Sequence, residues 1–211
     1  MIDPASCRVF YLKEMALTLK QKVLKLIYPL FIWVGQKTNK VKWLHNETNK
    51  LPAVPFHSLS LQLSSGKELK FETLRGKKVL LVNTASDCGY TPQYTELQKL
   101  YQRSKEDLEI IAIPANDFKE QEKKSDEEIA SFCSRNYGVS FPLAKKAVVV
   151  KAAEQHPVFQ WLTRKDLNGW NEQAPSWNFS KYLINEEGVL THYFGPAVSP
   201  LSDEVIHAVH S

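Results

Sequence analysis

Apolar positions recur along this chain in three patterns. Apolar runs within 78–83, at Val79-Leu80-Leu81-Val82, and within 108–113, the second stopped by Pro114, predict strands covered on both faces. Alternation at Leu59, Leu61 and Leu63, followed by the turn Ser64-Ser65-Gly66-Lys67 and residues 68–71, predicts a β-hairpin. Residues 181–184 and 189–194, about the turn 185–188, predict another. Helical spacing marks 92–104 through Tyr94, Leu97, Leu100 and Tyr101. It returns after Ser125, where Ile129, Phe132, Cys133 and Tyr137 share a face, Ser125 and Glu128 form a capping box, and Gly138 can close the C-terminus. A short helix around 158–162 and a last one over 200–210, with Pro200 in its first turn, complete the set.

Two parallel strands joined through a helix and extended by antiparallel strands describe an α/β domain with a thioredoxin-like fold. Its central mixed sheet is flanked by helices and preceded by the hairpin. Fold alone selects no activity. At 211 residues the chain has room for one such domain plus an extension. The expected division is an N-terminal basic and apolar arm with a linker over 1–50, then the domain over 51–211.

In the arm, Ala16, Leu19, Val23, Leu26, Leu30 and Val34 recur at helical spacing over 16–35, with Thr18, Lys22 and Lys25 toward the other side. The fully apolar stretch from Leu26 to Val34 contains Pro29 and falls well short of the ~20 residues a bilayer span needs. Its basic start and short apolar centre resemble a secretory leader, but residues 35–40 offer no small-residue cleavage site. With Tyr28, Phe31 and Trp33, the segment suits the interface of an anionic membrane, or else a helix packed on its own domain. Residues 1–50 hold nine Lys/Arg against three Asp/Glu, so the net charge of +4 belongs to the arm. The remainder is slightly acidic, which argues against nucleic acid as a partner.

Three cysteines, Cys7, Cys88 and Cys133, are too few for a stapled framework, and no Cys-x-x-Cys pair suggests zinc. Cys7 receives no role. Cys88 and Cys133 fit a transient disulfide in a reducing, cytoplasmic setting. Cys88 follows a buried strand and precedes a helix, which places it beside unpaired N–H groups at the positive end of the helix dipole. That setting favours thiolate over thiol, and the thiolate is the nucleophile.

Three blocks, in one consistent order over about 52–210, carry a family likeness. NTASDCGYTPQY at 83–94, PANDFKEQEKKSDEEIASFCSRNYGVSFP at 114–142 and WNFSKYLI at 177–184 resemble those of the glutathione peroxidase family. The resemblance implies a catalytic group of Cys88, Gln121, Trp177 and Asn178, with no metal and no cofactor. Peroxide cleavage by a thiolate gives a cysteine sulfenic acid. The amides of Gln121 and Asn178 and the indole of Trp177 supply donors that hold a charged sulfur. Cys133 matches the resolving cysteine of the two-cysteine, thioredoxin-dependent, non-selenium branch. Bridging needs Cα atoms within about 7 Å, so Cys133 is expected to leave its helix to reach Cys88. The implied substrates are hydrogen peroxide and organic or lipid hydroperoxides, with thioredoxin or glutathione as reductant.

Departures from the family pattern fall at Ala115, Asp117 and the pair Lys119-Glu120, where the family is Gly-rich just before Gln121. Asp87 opposes a neighbouring thiolate unless its side chain turns away. The chain lacks the insertion associated with tetrameric members, which leans toward a monomer. A peroxide-sensing relay that passes a disulfide to a partner uses the same Cys88 and stays open as an alternative. A thioredoxin-like metal chaperone wants more closely spaced cysteines.

Overall fold

A computed structural model describes residues 17–38 and 41–211, so Cys7 and Ala16 lie outside the described residues. The chain runs α1 (Leu19–Thr38), β1 (Trp43–His45), β2 (Ser60–Gln62), β3 (Glu68–Lys70), β4 (Lys78–Thr84), α2 (Gln93–Ser104), β5 (Leu108–Pro114) and α3 (Asp126–Tyr137). It continues through α4 (Pro157–Leu162), α5 (Lys165–Asn168), β6 (Lys181–Ile184), β7 (Leu190–Phe194) and α6 (Asp203–His210).

Five strands form one sheet in the order β1-β7-β6-β4-β5. Strands β4 and β5 are parallel, from Lys78 opposite Leu108 to Thr84 opposite Pro114, while β6 and β7 extend the sheet antiparallel. Every residue of β4 is buried, the apolar run 79–82 and also Lys78, Asn83 and Thr84 at its ends. Alternate residues supply two cores. Leu80, Val82, Ile110 and Ala112 pack with α2, α3 and α6, and both Cys88 and Cys133 lie in that layer. Val79, Leu81, Ile111 and Ile113 pack on the opposite side against Phe56, Phe71, Phe159 and Trp161. The hairpin β2–β3 stands apart as a separate two-stranded sheet.

Helix α3 has the expected ends. Ser125 Oγ accepts from the Glu128 N–H while Glu128 Oε2 accepts from the Ser125 N–H, and Gly138 closes the helix at φ 64°. Helix α6 differs from expectation: Ser202 is its N-cap residue, in extended conformation, so Pro200 lies before the first turn.

The arm shows the largest differences. Helix α1 is one continuous helix through Pro29, extending over residues expected as linker. Residues 43–45 then pair with β7, so the expected linker also contains an edge strand of the main sheet. The face of α1 turned to the domain is not the apolar stripe. Gln21, Tyr28, Phe31 and Gly35 meet the domain, whereas Leu19, Val23, Leu26 and Leu30 are exposed. Gly35 explains part of this choice: a Cβ there would lie 2.4 Å from the Tyr90 hydroxyl, so the backbone itself makes the contact. Among the described residues, no helix is long and apolar enough to cross a membrane.

Candidate active site around Cys88

Strand β4 delivers the chain into a tight turn that Thr91 holds closed. Thr91 Oγ1 accepts the Cys88 N–H at 3.1 Å, and lies 2.9 Å from the Ala85 carbonyl and 2.7 Å from the Cys88 carbonyl. The backbone donors left for the sulfur are those that follow it. The Tyr90 N–H donates to Cys88 Sγ at 3.4 Å, and the Gly89 N–H also contributes.

The opposite wall comes from the turn that enters β6. Asn83, near the end of β4, sutures that turn in place. Its Nδ2 donates to the Trp177 carbonyl at 3.1 Å, and its Oδ1 accepts the Ser180 N–H at 3.1 Å. Its own carbonyl accepts the Phe179 N–H at 2.6 Å. Phe179 adopts φ 68°, a left-handed conformation that non-glycine residues rarely take. In this geometry the Trp177 indole and the Asn178 amide come near enough to Cys88 to act on its thiol as donors, each lowering its pKa. Lys181 Nζ, fully buried, donates to the Phe179 carbonyl at 2.7 Å and holds the strained turn from beneath.

Gln121 enters differently. Asn178 Nδ2 donates to Gln121 Oε1 at 3.0 Å. The groups that lower the Cys88 pKa are Tyr90, Trp177, Asn178 and Gly89, and Gln121 joins them through Asn178. Its loop reaches the Cys88 turn by another route, the Asp87 N–H donating to the Gln121 carbonyl at 3.1 Å. Lys119 and Glu120, standing where the family is Gly-rich, both sit at φ 51°. Lys119 also places its ammonium 5.8 Å from the Trp177 ring centre, and Phe118 packs on that ring.

Burial reverses the expected ionisation of Cys88. The sulfur-bearing residue is 1% exposed, and desolvation pushes its pKa from 9.0 up to about 11 against the opposing pull of its hydrogen bonds. Of the side-chain donors expected from sequence, Trp177 and Asn178 act on the sulfur and Gln121 does not, and in this arrangement they lose to the low-dielectric surroundings. Cys133 is also a reduced, buried thiol on α3. Burial pushes its pKa up to about 12, with a Tyr94 hydrogen bond opposing and the charge of Glu122 adding to the rise.

Several partners carried no sequence signal. Glu122 is fully buried, and its Oε2 accepts both the Ser86 N–H at 2.7 Å and the Ser86 hydroxyl at 2.8 Å. It thereby ties the loop before α3 to the Cys88 turn. Asp87 turns away from the sulfur: its Oδ1 accepts from Gln21 Nε2 at 2.7 Å and its Oδ2 lies 3.7 Å from Lys124 Nζ. Asn178 Oδ1 is buried with no partner among the described residues.

Taken together, the N–H groups of Gly89, Tyr90, Trp177 and Asn178 act on one buried sulfur, with no carboxylate among them, and Asn178 keeps a spare acceptor. Such a set can stabilise a thiolate once it forms and can handle the proton of a small hydroxylic substrate.

Comparisons with known proteins agree with this chemistry. A sequence model of the glutathione peroxidase family matches residues 56–163. The glutathione peroxidase homolog BsaA of Halalkalibacterium halodurans is 42% identical over 146 residues, covering 69% of this chain and 92% of that protein. The glutathione peroxidase-like peroxiredoxin HYR1 of Saccharomyces cerevisiae is 40% identical over 148 residues, covering 70% and 90%. The apo crystal structure of Trgpx superposes with a TM-score of 0.57 at 28% identity, over 75% of this chain and 97% of that one. A thiol:disulfide interchange protein of the thioredoxin family from Chlorobium tepidum, 13% identical with a TM-score of 0.55 over 79% of this chain and 100% of that one, shares the fold alone.

Proposed function

The chain belongs to the glutathione peroxidase family, in its non-selenium branch, and from that premise we infer that Cys88 is the sulfur that attacks peroxide. The enzyme is a thiol peroxidase. The observation that carries the assignment of Cys88 is the convergence of the Trp177 indole and the Asn178 amide on its sulfur.

The chemistry follows from the atoms available. Thiolate sulfur attacks one peroxide oxygen; the S–O bond forms, the O–O bond breaks, and the departing oxygen takes up the proton given up by the thiol. The products are a Cys88 sulfenic acid and water or an alcohol. Trp177 and Asn178 hold the sulfur's negative charge before attack, and the spare Asn178 Oδ1 accepts the peroxide O–H. Gln121 acts at one remove, orienting the Asn178 amide.

Cys133 then attacks the sulfenic sulfur, an S–S bond forms, and hydroxide leaves as water with the Cys133 proton. Cys133 sits on a capped helix with its side chain buried, so α3 unwinds locally to deliver it. Hydrogen exchange over 119–137 rises on oxidation if this is correct and is unchanged if it is not. A dithiol reductant, thioredoxin in preference to glutathione, completes the cycle by exchange. The supporting experiment is a coupled NADPH assay with thioredoxin and with glutathione, each on hydrogen peroxide and on a lipid hydroperoxide. Catalytic NADPH loss with thioredoxin supports this reading; a single stoichiometric oxidation without turnover moves the protein to the relay alternative.

The peroxidase domain is taken as residues 51–211, acting as a monomer in the cytoplasm. The arm over 1–50 is an addition that supplies an edge strand and a helix, and residues 16–35 give it a membrane-contacting surface. Lipid hydroperoxides are the substrates that such contact favours.

A further inference from the structure

Helix α1 lies across the turn that carries Cys88 and touches it on both sides. Before the sulfur, Gln21 Nε2 donates to Asp87 Oδ1 at 2.7 Å and lies 3.5 Å from the Ser86 carbonyl. After it, the Phe31 ring covers Gly89 so closely that a Cβ there would meet it at 2.8 Å, and the ring packs edge-on against Tyr90. Tyr28 bonds Glu96 on α2 at 3.0 Å, and the Lys25 ammonium sits 5.7 Å from the Tyr137 ring at the end of α3. One helix therefore bridges the reactive turn and the helix that bears Cys133. It lies outside the residues that match the family model.

The outward face of the same helix is apolar. Leu19, Val23, Leu26, Leu30, Trp33 and Val34 form a continuous exposed stripe, Leu26 at 81% and Leu19 at 79%. Four lysines, Lys20, Lys22, Lys25 and Lys37, share the helix with no carboxylate. In the closed position this stripe stays in water, while the polar side-chain contacts of the inner face are those of Gln21 and Tyr28. An anionic bilayer interface can cover the stripe, attract the lysines, and also receive the aromatic rings of Phe31 and Tyr28. A neutral protein partner would answer the stripe but not the charge.

We propose that α1 is a lid over Cys88 which opens when the helix docks on an anionic lipid bilayer, so that the sulfur is exposed where lipid peroxides form. This rests on Cys88 being the peroxide-reactive residue. Binding energy from the bilayer acts on the lid equilibrium only through the difference between open and closed helix, and the stripe and inner aromatic residues supply that difference.

The test uses the full chain and iodoacetamide, with alkylation of the Cys88 and Cys133 peptides followed by mass spectrometry. Vesicles of phosphatidylcholine alone are compared with vesicles containing an equal part of phosphatidylglycerol, and binding is read by cosedimentation. Because alkylation follows the open population, anionic vesicles are expected to raise the Cys88 rate about tenfold while Cys133 stays slow. Leu26→Glu with Leu30→Glu is expected to remove binding and the acceleration together. Phe31→Ala is expected to speed Cys88 alkylation without vesicles; a parallel rise at Cys133 would mean general loosening and overturn the lid. Bound protein with unchanged Cys88 alkylation, absence of binding, or equal acceleration by neutral vesicles would each overturn the proposal. Iodoacetamide reads access and not peroxide chemistry, so a lid that opens over a sulfur that reduces no peroxide would sink only the catalytic reading.

Discussion

Replacing Lys181 with Met separates what a buried amine costs the fold from what it gives the site. Lys181 is fully buried, and its Nζ donates to the Phe179 carbonyl at 2.7 Å and the Gly195 carbonyl at 3.3 Å. Glu96 acts on it through space, its own oxygens being bonded to Tyr28 and Ser199. Burial lowers the amine's pKa from 10.5 to about 7. Between those values the unfolded chain binds the proton and the folded one largely does not. Stability from this group therefore rises with pH across that window. Near the folded pKa the slope is partial, so the gain from about pH 7 to about pH 9 comes to about 2 kcal/mol.

The assay is urea unfolding of wild type and Lys181→Met at both pH values. Thiols with raised pKa, Cys88 and Cys133, work in the opposite direction at alkaline pH, but both proteins share them, so the difference isolates the amine. Wild type should gain about 2 kcal/mol on the variant at the higher pH. Peroxide reduction by the variant should fall about tenfold, because the carbonyl of left-handed Phe179 loses its donor and the Trp177–Asn178 wall loosens. Parallel pH curves would refute the buried-charge argument, and an unchanged peroxide rate would refute the positioning argument.

Three other outcomes are expected. Cys133→Ser should allow one oxidation of Cys88 per molecule while stopping thioredoxin-linked turnover; persistent turnover would mean that an external thiol resolves the sulfenic acid. Trp177→Phe keeps the ring between Phe118 and Lys119 but removes the indole donor to sulfur, and should slow peroxide reduction by about tenfold to a hundredfold with little change in stability; an unchanged rate would reduce Trp177 to packing. Lys119→Gly and Glu120→Gly relieve two side chains held at φ 51°, and each should raise stability by up to about 1 kcal/mol in urea unfolding, a loss in both counting against the strain.

The sheet was legible wherever burial on both faces left an unbroken apolar run, as in β4 and β5. Helix α3 was legible because Ser125, Glu128 and Gly138 state its ends locally. Strand β1 was not: it is three residues long, exposed throughout, and exists only because the edge of β7 lies beside it. Helix α1 was legible as a helix but not in its orientation. Periodicity pointed to the Leu19–Leu26–Leu30 stripe, whereas Gln21 and Gly35, a polar side chain and a bare backbone, set the contact face. At the site, Trp177 and Asn178 act on the Cys88 thiol and Gln121 bonds Asn178; the catalytic roles of these residues rest on the family blocks. Asn83 and Glu122 could not have been found, since their hydrogen bonds span 94 and 36 residues and depend on the finished fold. The direction of the Cys88 pKa escaped for a related reason: the sequence reveals the donors, while the desolvation that outweighs them arises only from tertiary burial.

The most direct measurement is to treat the Cys133→Ser chain with one equivalent of hydrogen peroxide, trap sulfenic acid with dimedone, and map the adduct by mass spectrometry. The account predicts a single adduct on Cys88, no adduct once Cys88→Ser is added, and no peroxide-dependent NADPH loss when Cys88→Ser is made alone in the chain that keeps Cys133. An adduct elsewhere, or turnover that survives Cys88→Ser, would contradict it.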